Sequence, residues 1–332
     1  MEASRKPLYL DWMQVEVSSL CDGGCIYCPR HCLRDEQKGG LMDWRTFERL
    51  EPAFPGADLV YLQGWGEPLL HPDVWRMIRR VKESGAAAGF TTNGARLDEG
   101  NRKRLVESGL NILGVSLAGT TAATHERFRP ACRLRRIDEA LTTLAEWKRK
   151  QRSEQPELHL AYLLLRSNLD ETPAVVDLAS RWGASQVIVS NLSWTGAQEM
   201  REESTLLHPE LWPRAAKILK RARNDARKRG ILLHYYGPAI GEPRPTCTEN
   251  VLSACFVSHR GDVSPCVLTT PSLPGAQPIV FGNVNERSLT EIWRSPMAHD
   301  FRRVFRARRA MEHPGTEGLP PACAECCRLR EL

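Results

Sequence analysis

Three cysteines, Cys21, Cys25 and Cys28, follow a C-x3-C-x2-C spacing in the run Cys21-Asp-Gly-Gly-Cys25-Ile-Tyr-Cys28. A loop of that size can aim three thiolates at one soft metal centre. Four-thiolate zinc or iron sites are closed, so an iron site held by three thiolates keeps a position open for something else to bind. A second group stands near the other end: Cys247, Cys255, Cys266, Cys323, Cys326 and Cys327. The run Cys255-Phe-Val-Ser-His-Arg-Gly261-Asp-Val-Ser-Pro-Cys266 reads as a β-hairpin turned by Arg-Gly-Asp, with a thiol on each arm. Cys323-Ala-Glu-Cys326 adds a C-x2-C pair. Together they make a closed four-thiolate site, and the spacing leaves zinc and an iron–sulfur cluster both open.

The elements that must position these thiols alternate along the chain. Met13 to Leu20 alternates apolar and polar residues like a strand, which puts the first cysteines on the loop leaving its C-terminal end. Strands are then expected at Asp58–Gln63, Ala86–Thr92, Ile112–Leu117, Leu158–Leu165 and Gln186–Ser190. Helices are expected at Asp73–Gly85, Asn101–Gly109, Ile137–Lys150 and Pro173–Trp182. Six β/α units within about 190 residues imply a parallel sheet curled into a partial (β/α)6 barrel, because parallel strands need helical, right-handed crossovers. The expected division is a barrel core over 1–195, a charged helical linker over 196–236 and a small cysteine-rich domain over 237–332.

Composition bounds the function. With 332 residues, 42% hydrophobic and 26% charged, the chain is that of an ordinary globular protein. No apolar run approaches the ~20 residues of a membrane span, and Met1–Pro7 lacks the apolar core of a signal peptide. A cytoplasmic location is expected, with eleven cysteines serving as metal ligands rather than in disulfides. The net charge of +6 sits largely on two helical runs, 217–229 and 302–309, read as solvated faces. No basic segment interleaved with aromatics suggests a nucleic-acid partner.

Further motifs fall at the ends of the expected strands: Gly64-Trp-Gly-Glu-Pro68, Thr91-Thr-Asn-Gly94 and Ser116-Leu-Ala-Gly119. With the cysteine spacing and an aromatic before the third cysteine, they resemble the radical S-adenosylmethionine (radical SAM) superfamily. The resemblance implies that Cys21, Cys25 and Cys28 hold a 4Fe–4S cluster whose fourth iron is chelated by the amine and carboxylate of SAM, with Tyr27 near the adenine. Gly66 and Glu67 match the family segment that holds the SAM amine, although Trp65 replaces its first glycine. Thr92 and Asn93 match the turn near the ribose. Ser116 matches a serine that contacts SAM, and Ala118 stands in place of the family's aspartate. In His125-Glu-Arg-Phe-Arg129, Arg127 or Arg129 would reach the SAM carboxylate as a fork donor.

The hairpin pattern C-x5-G-x4-C, then Phe281-Gly-Asn-Val284, a Leu289-x2-Ile-Trp293 helix and the C-x2-C pair resemble the SPASM auxiliary-cluster region or its shortened Twitch form. By that resemblance one auxiliary 4Fe–4S cluster is held by Cys255, Cys266, Cys323 and Cys326, with Cys247 and Cys327 as alternates. The implied chemistry is reductive cleavage of SAM to a 5′-deoxyadenosyl radical that takes hydrogen from a substrate, with a flavodoxin- or ferredoxin-type protein as electron donor. No catalytic side chain beyond the cluster ligands is singled out. The N-terminus is short before its first strand, which is read as leaving no room for a fused leader-peptide-binding domain. The expected substrate is therefore a small molecule such as a sugar, nucleoside or cofactor precursor, converted by oxidation, decarboxylation or rearrangement. A peptide is the alternative substrate, and a zinc-binding interaction protein the alternative of another class. Replacing Cys21, Cys25 or Cys28 by alanine is expected to abolish 5′-deoxyadenosine formation while C-terminal iron is kept; retained product in any variant would defeat the assignment.

Overall fold

The computed structural model describes residues 8–32, 39–193, 195–196, 198–270 and 278–331. In chain order its elements are β1 (Leu10–Val15), α1 (Pro29–Cys32), α2 (Trp44–Glu48), β2 (Ala57–Tyr61), α3 (Val74–Glu83), β3 (Ala87–Thr92), α4 (Glu99–Glu107), β4 (Ile112–Leu117), α5 (Ala122–Phe128) and α6 (Leu134–Gln151). There follow β5 (Glu157–Leu164), α7 (Ala174–Trp182), β6 (Gln186–Asn191), α8 (Gln198–Glu203), α9 (Trp212–Lys228), β7 (Leu232–Tyr235), β8 (Ala254–Val257), β9 (Asp262–Ser264), β10 (Gly282–Asn283), α10 (Leu289–Trp293), α11 (Pro296–Arg308) and α12 (Pro321–Ala324).

The local sequence accounts for most of these. Val74, Met77, Ile78 and Val81 recur at helical spacing and are the buried face of α3. The Asp98 carboxylate accepts from Asn101 N at 2.8 Å and starts α4. Gly183, at φ 67°, ends α7 in the left-handed conformation. Along β5, Leu158, Leu160, Tyr162 and Leu164 are buried and the residues between them less so, as the two-residue period of a strand requires. Strand β1 departs from expectation: it runs Leu10–Val15, so Glu16–Leu20 is a connection into the cysteine loop.

The chain forms two compact units that do not follow its order: residues 1–20, 39–89 and 242–329, and residues 21–38, 90–241 and 330–332. In the first, β1 pairs in parallel with β2 on one edge (Met13 beside Val60) and with β8 on the other (Met13 beside Cys255). There β2 also pairs in parallel with β3, while β9 turns back antiparallel on β8 and β10 on β9. In the second unit β4, β5, β6 and β7 are successive parallel neighbours. Strand β7 was not expected; it is a four-residue strand just past the turn that ends α9, in the stretch read as a helical linker. The fold is α/β, a partial (β/α)6 TIM-like barrel with a small cysteine-rich segment. Among the described residues no helix is long and apolar enough to cross a membrane.

Past the end of β5 a buried side chain ties two strand ends together. Asn168 Oδ1 accepts from Leu165 N at 2.8 Å, and Nδ2 donates to Leu163 O at 2.8 Å and Ala118 O at 3.1 Å. Asn168→Leu strips these bonds from buried backbone groups, each worth about 1 kcal/mol. We expect a loss of roughly 3 kcal/mol in denaturant unfolding; an unchanged midpoint would show that the knot bears no load.

Candidate metal centres

The chain leaving β1 enters a loop whose turns are set by its own backbone. Cys28 N donates to Cys25 O at 3.1 Å, and His31 N and Cys32 N donate to Cys28 O at 2.9 and 3.0 Å, which starts α1 on the third cysteine. Gly23 N lies 3.4 Å from Cys21 Sγ. Asn93, just past β3, donates from Nδ2 to Asp22 Oδ1 at 2.9 Å and stands 3.7 Å from Cys21 Sγ, while Asp22 pairs with Arg96 at 2.7 Å. The turn after β3 thus clamps the loop and aims an N–H at a cysteine sulfur, as at many iron–sulfur sites.

The segment after α5 packs against the other side of this loop. Ile26 N donates to Phe128 O at 3.2 Å, Arg129 donates to the Tyr27 hydroxyl, and the Cys132 thiol hydrogen-bonds Cys25. That bond from Cys132, with the Arg129 charge and Tyr27, outweighs burial and brings Cys25 down to about 6. Cys132 keeps the shared proton and is raised by the same bond and by burial. Burial, and then the charge on Cys25, push Cys28 up to about 12. The structure separates the two arginines that the sequence left level. Arg127 is exposed and pairs with Glu203 at 3.2 Å. Arg129 is only 4% exposed and its Nε has no partner among the described residues. Beside it His125 is fully buried and pushed down to about 3 by burial and by Arg129, so it stays neutral.

The other expected contacts lie on turns and strand ends. A Cβ on Gly66 would stand 2.3 Å from Ser18 O and 2.5 Å from Leu20 O, so only glycine fits against the chain entering the cysteine loop. Glu67 N donates to Leu20 O at 2.8 Å, and its carboxylate caps the following turn by accepting from Leu69 N at 3.1 Å. Thr92 Oγ1 accepts from Gly94 N at 3.1 Å and Asn93 Oδ1 from Ala95 N at 2.8 Å, so both residues also shape their own turn. Ser116 sits half-buried on β4 beside Ala161 of β5.

The second centre is a cavity of about 400 Å³, counting its open mouth, lined by Cys247, Cys266, Cys323 and Cys326 together with Glu249 and Phe305. The Cys247 turn is tied to β1 through Asn250, whose Nδ2 donates to Asp11 Oδ2 at 2.6 Å, and to the last cysteines through Thr248 Oγ1 and Arg328 O at 3.3 Å. Burial pushes Cys247, Cys266 and Cys323 up to about 12. Cys326 is raised first by its hydrogen bond with Cys327 and then by burial. The cavity is not lined by Cys255 or Cys327, so the hairpin does not bring two thiols to it as read from the sequence. Cys255 shares a face of the sheet with its neighbour Met13, where burial pushes it up to about 12 against the charge of Arg302 on α11. Cys132 and Cys247 carry no local spacing that marks them, since each reaches its partners only through the fold.

These surroundings suit iron–sulfur clusters. Each donor set is built of thiols, and most are held neutral by burial, so a metal's positive charge is what would keep them as thiolates. The Nε of buried Arg129, near Cys25, is a donor without a partner among the described residues. An α/β barrel with such groups on the loop after its first strand is, in class, an iron–sulfur protein with an open site. Residues 15–179 match the radical SAM superfamily, and residues 247–327 match the SPASM iron–sulfur cluster-binding domain. The chain belongs to the radical SAM superfamily and carries a C-terminal SPASM domain. It is 24% identical to the tungsten-containing aldehyde ferredoxin oxidoreductase cofactor-modifying protein of Pyrococcus furiosus, covering 96% of this chain and 87% of that one. It is 25% identical to the PqqA peptide cyclase of Granulibacter bethesdensis, over 96% and 79% of the two chains. Its fold is similar to Streptococcus suis SuiB bound to the precursor peptide SuiA, with a TM-score of 0.64 at 15% identity, covering 89% of this chain and 67% of that one.

The geometry separates two cysteines experimentally. Cys247→Ser in the anaerobically reconstituted protein should lower the iron content by about four atoms, one cluster, whereas Cys255→Ser should leave it unchanged. Iron lost from the Cys255 variant and kept in the Cys247 variant would restore the hairpin pairing.

Proposed function

We propose that this radical SAM enzyme is a maturase that modifies a ribosomally made peptide. The observation that carries the proposal is the similarity to a PqqA peptide cyclase over 96% of this chain, which takes in both thiol centres. The likeness of fold to SuiB, a protein solved with its precursor peptide, is in keeping with it. In this reading Cys21, Cys25 and Cys28 hold one 4Fe–4S cluster, and Cys247, Cys266, Cys323 and Cys326 hold a second. When bound, the first cluster and SAM supply a 5′-deoxyadenosyl radical for hydrogen abstraction. The chain's own residues do the placing. Asn93 and Cys132 direct hydrogen bonds at Cys21 and Cys25; Arg129, braced by Tyr27, offers its free N–H to the SAM carboxylate; Gly66 and Glu67 form the turn for the amine; Ser116 lies at the rim. Residues 1–195 would serve as the radical core and 237–332 as the auxiliary segment, in the cytoplasm with a flavodoxin- or ferredoxin-type donor.

A small-molecule substrate is the second reading, favoured by the likeness to a cofactor-modifying protein. The two part on where hydrogen comes from. Reduced enzyme with SAM and a deuterated peptide encoded beside its gene should give deuterated 5′-deoxyadenosine and a peptide of altered mass. Deuterium transfer from a dialysable extract, with none from the peptide, would establish the small-molecule reading instead.

A further inference from the structure

A buried carboxylate has no part in the chemistry above. Glu16 follows β1, and its side chain is 4% exposed. Oε1 accepts from Trp65 N at 2.9 Å; Oε2 accepts from His259 N at 3.2 Å and lies 2.9 Å from His259 Nδ1. The side chain packs so tightly on Gly64 that a Cβ there would stand 2.3 Å from Glu16 Cγ. Carboxylates are buried this completely only where donors replace water. Here the donors come from two distant stretches. Trp65 belongs to the turn that contains Gly66 and Glu67, and His259 to the turn between β8 and β9 of the SPASM segment. A second tether runs alongside, because the Trp65 indole Nε1 donates to Val267 O at 3.3 Å and Val267 directly follows Cys266 of the thiol cavity. The indole that departs from the family's glycine is what makes this bond.

We infer that Glu16, Trp65 and His259 are positioning residues for SAM, through which the SPASM segment holds the Gly64–Glu67 turn in its binding conformation. The inference rests on that turn receiving the SAM amine. Its consequence is that SAM affinity depends on the hairpin of the auxiliary segment even where both clusters are intact. Backbone bonds join the turn to the chain after β1, Trp65 N to Glu16 Oε1 at 2.9 Å and Glu67 N to Leu20 O at 2.8 Å, and His259 holds the first of these acceptors from the other side.

The test uses the reconstituted holoenzyme, with SAM dissociation constants from equilibrium dialysis and iron and sulfide assayed in parallel. His259→Ala and Trp65→Phe should each weaken SAM binding by about fivefold to tenfold, the size of one lost hydrogen bond, with iron and sulfide as in the unaltered enzyme. His259→Asn can place an N–H near the position of Nδ1 and should bind SAM within about twofold of the parent. Unchanged affinity in both His259→Ala and Trp65→Phe overturns the inference, as does weakening that appears only where iron is lost. Failure in that form, with SAM still bound and cleaved, leaves the radical SAM reading standing; absence of SAM binding by the parent enzyme would remove both.

Discussion

Strand β1 is hydrogen-bonded along both edges, to β2 on one side and β8 on the other, and both pairings are parallel. Parallel neighbours end at the same edge of a sheet. The connection into the cysteine loop, the Gly64–Pro68 turn after β2 and the hairpin turn after β8 therefore leave the sheet together. This brings a carboxylate at Glu16 within reach of donors that lie 49 and 243 residues away in sequence. It also explains why the compact unit built on β1 joins residues 242–329 to the first strands instead of leaving them as a separate lobe.

The two thiol groups differ in electrical setting. At the first, a guanidinium, a thiol donor and a phenol surround Cys25 and stabilise its thiolate. At the second, burial is the largest influence on Cys247, Cys266 and Cys323, Cys326 is raised first by its bond with Cys327, and the cavity wall carries a carboxylate, Glu249, partnered by Arg328 at 3.4 Å. Buried thiols without a counter-charge stay neutral, which spares the metal-free fold the cost of buried anions. Metal binding there must displace protons, whereas at Cys25 the anion is already favoured. Hydrogen bonds to sulfur and local charge are the means by which a protein sets a cluster's potential, so clusters held at these two thiol groups would differ in potential.

The periodic parts of the fold were legible because they rest on local repetition. Helix α3 lies within the stretch expected to be helical, and the limits of β4 fall on the residues expected. The first cysteine loop stands out for the same reason, since Cys21, Cys25 and Cys28 lie close together in sequence. Cys255 is near Gly261 and Cys266 in sequence, but strand pairing sets it beside Met13, and it is not among the residues that line the cavity. Cys247 lies in a turn anchored by Asn250 on Asp11, a contact across 239 residues that has no local signature. Cys132 meets Cys25 in the same way. Short β7 was hidden by its charged surroundings, and its partner β6 is what defines it.

Substrate class is not legible in the barrel's motifs, because the strand-end residues that match the family are those that contact SAM there. Ala118 is more informative. Where the family has a carboxylate, this chain buries a methyl among Phe128, Leu165, Leu192 and Met200, with Ile26, Tyr27 and Leu163 packed alongside. Ala118 is fully buried, so the position is core and presents nothing to a substrate. A contact that places a substrate in relatives is exchanged here for packing, and whatever orients the substrate in this chain must come from other residues.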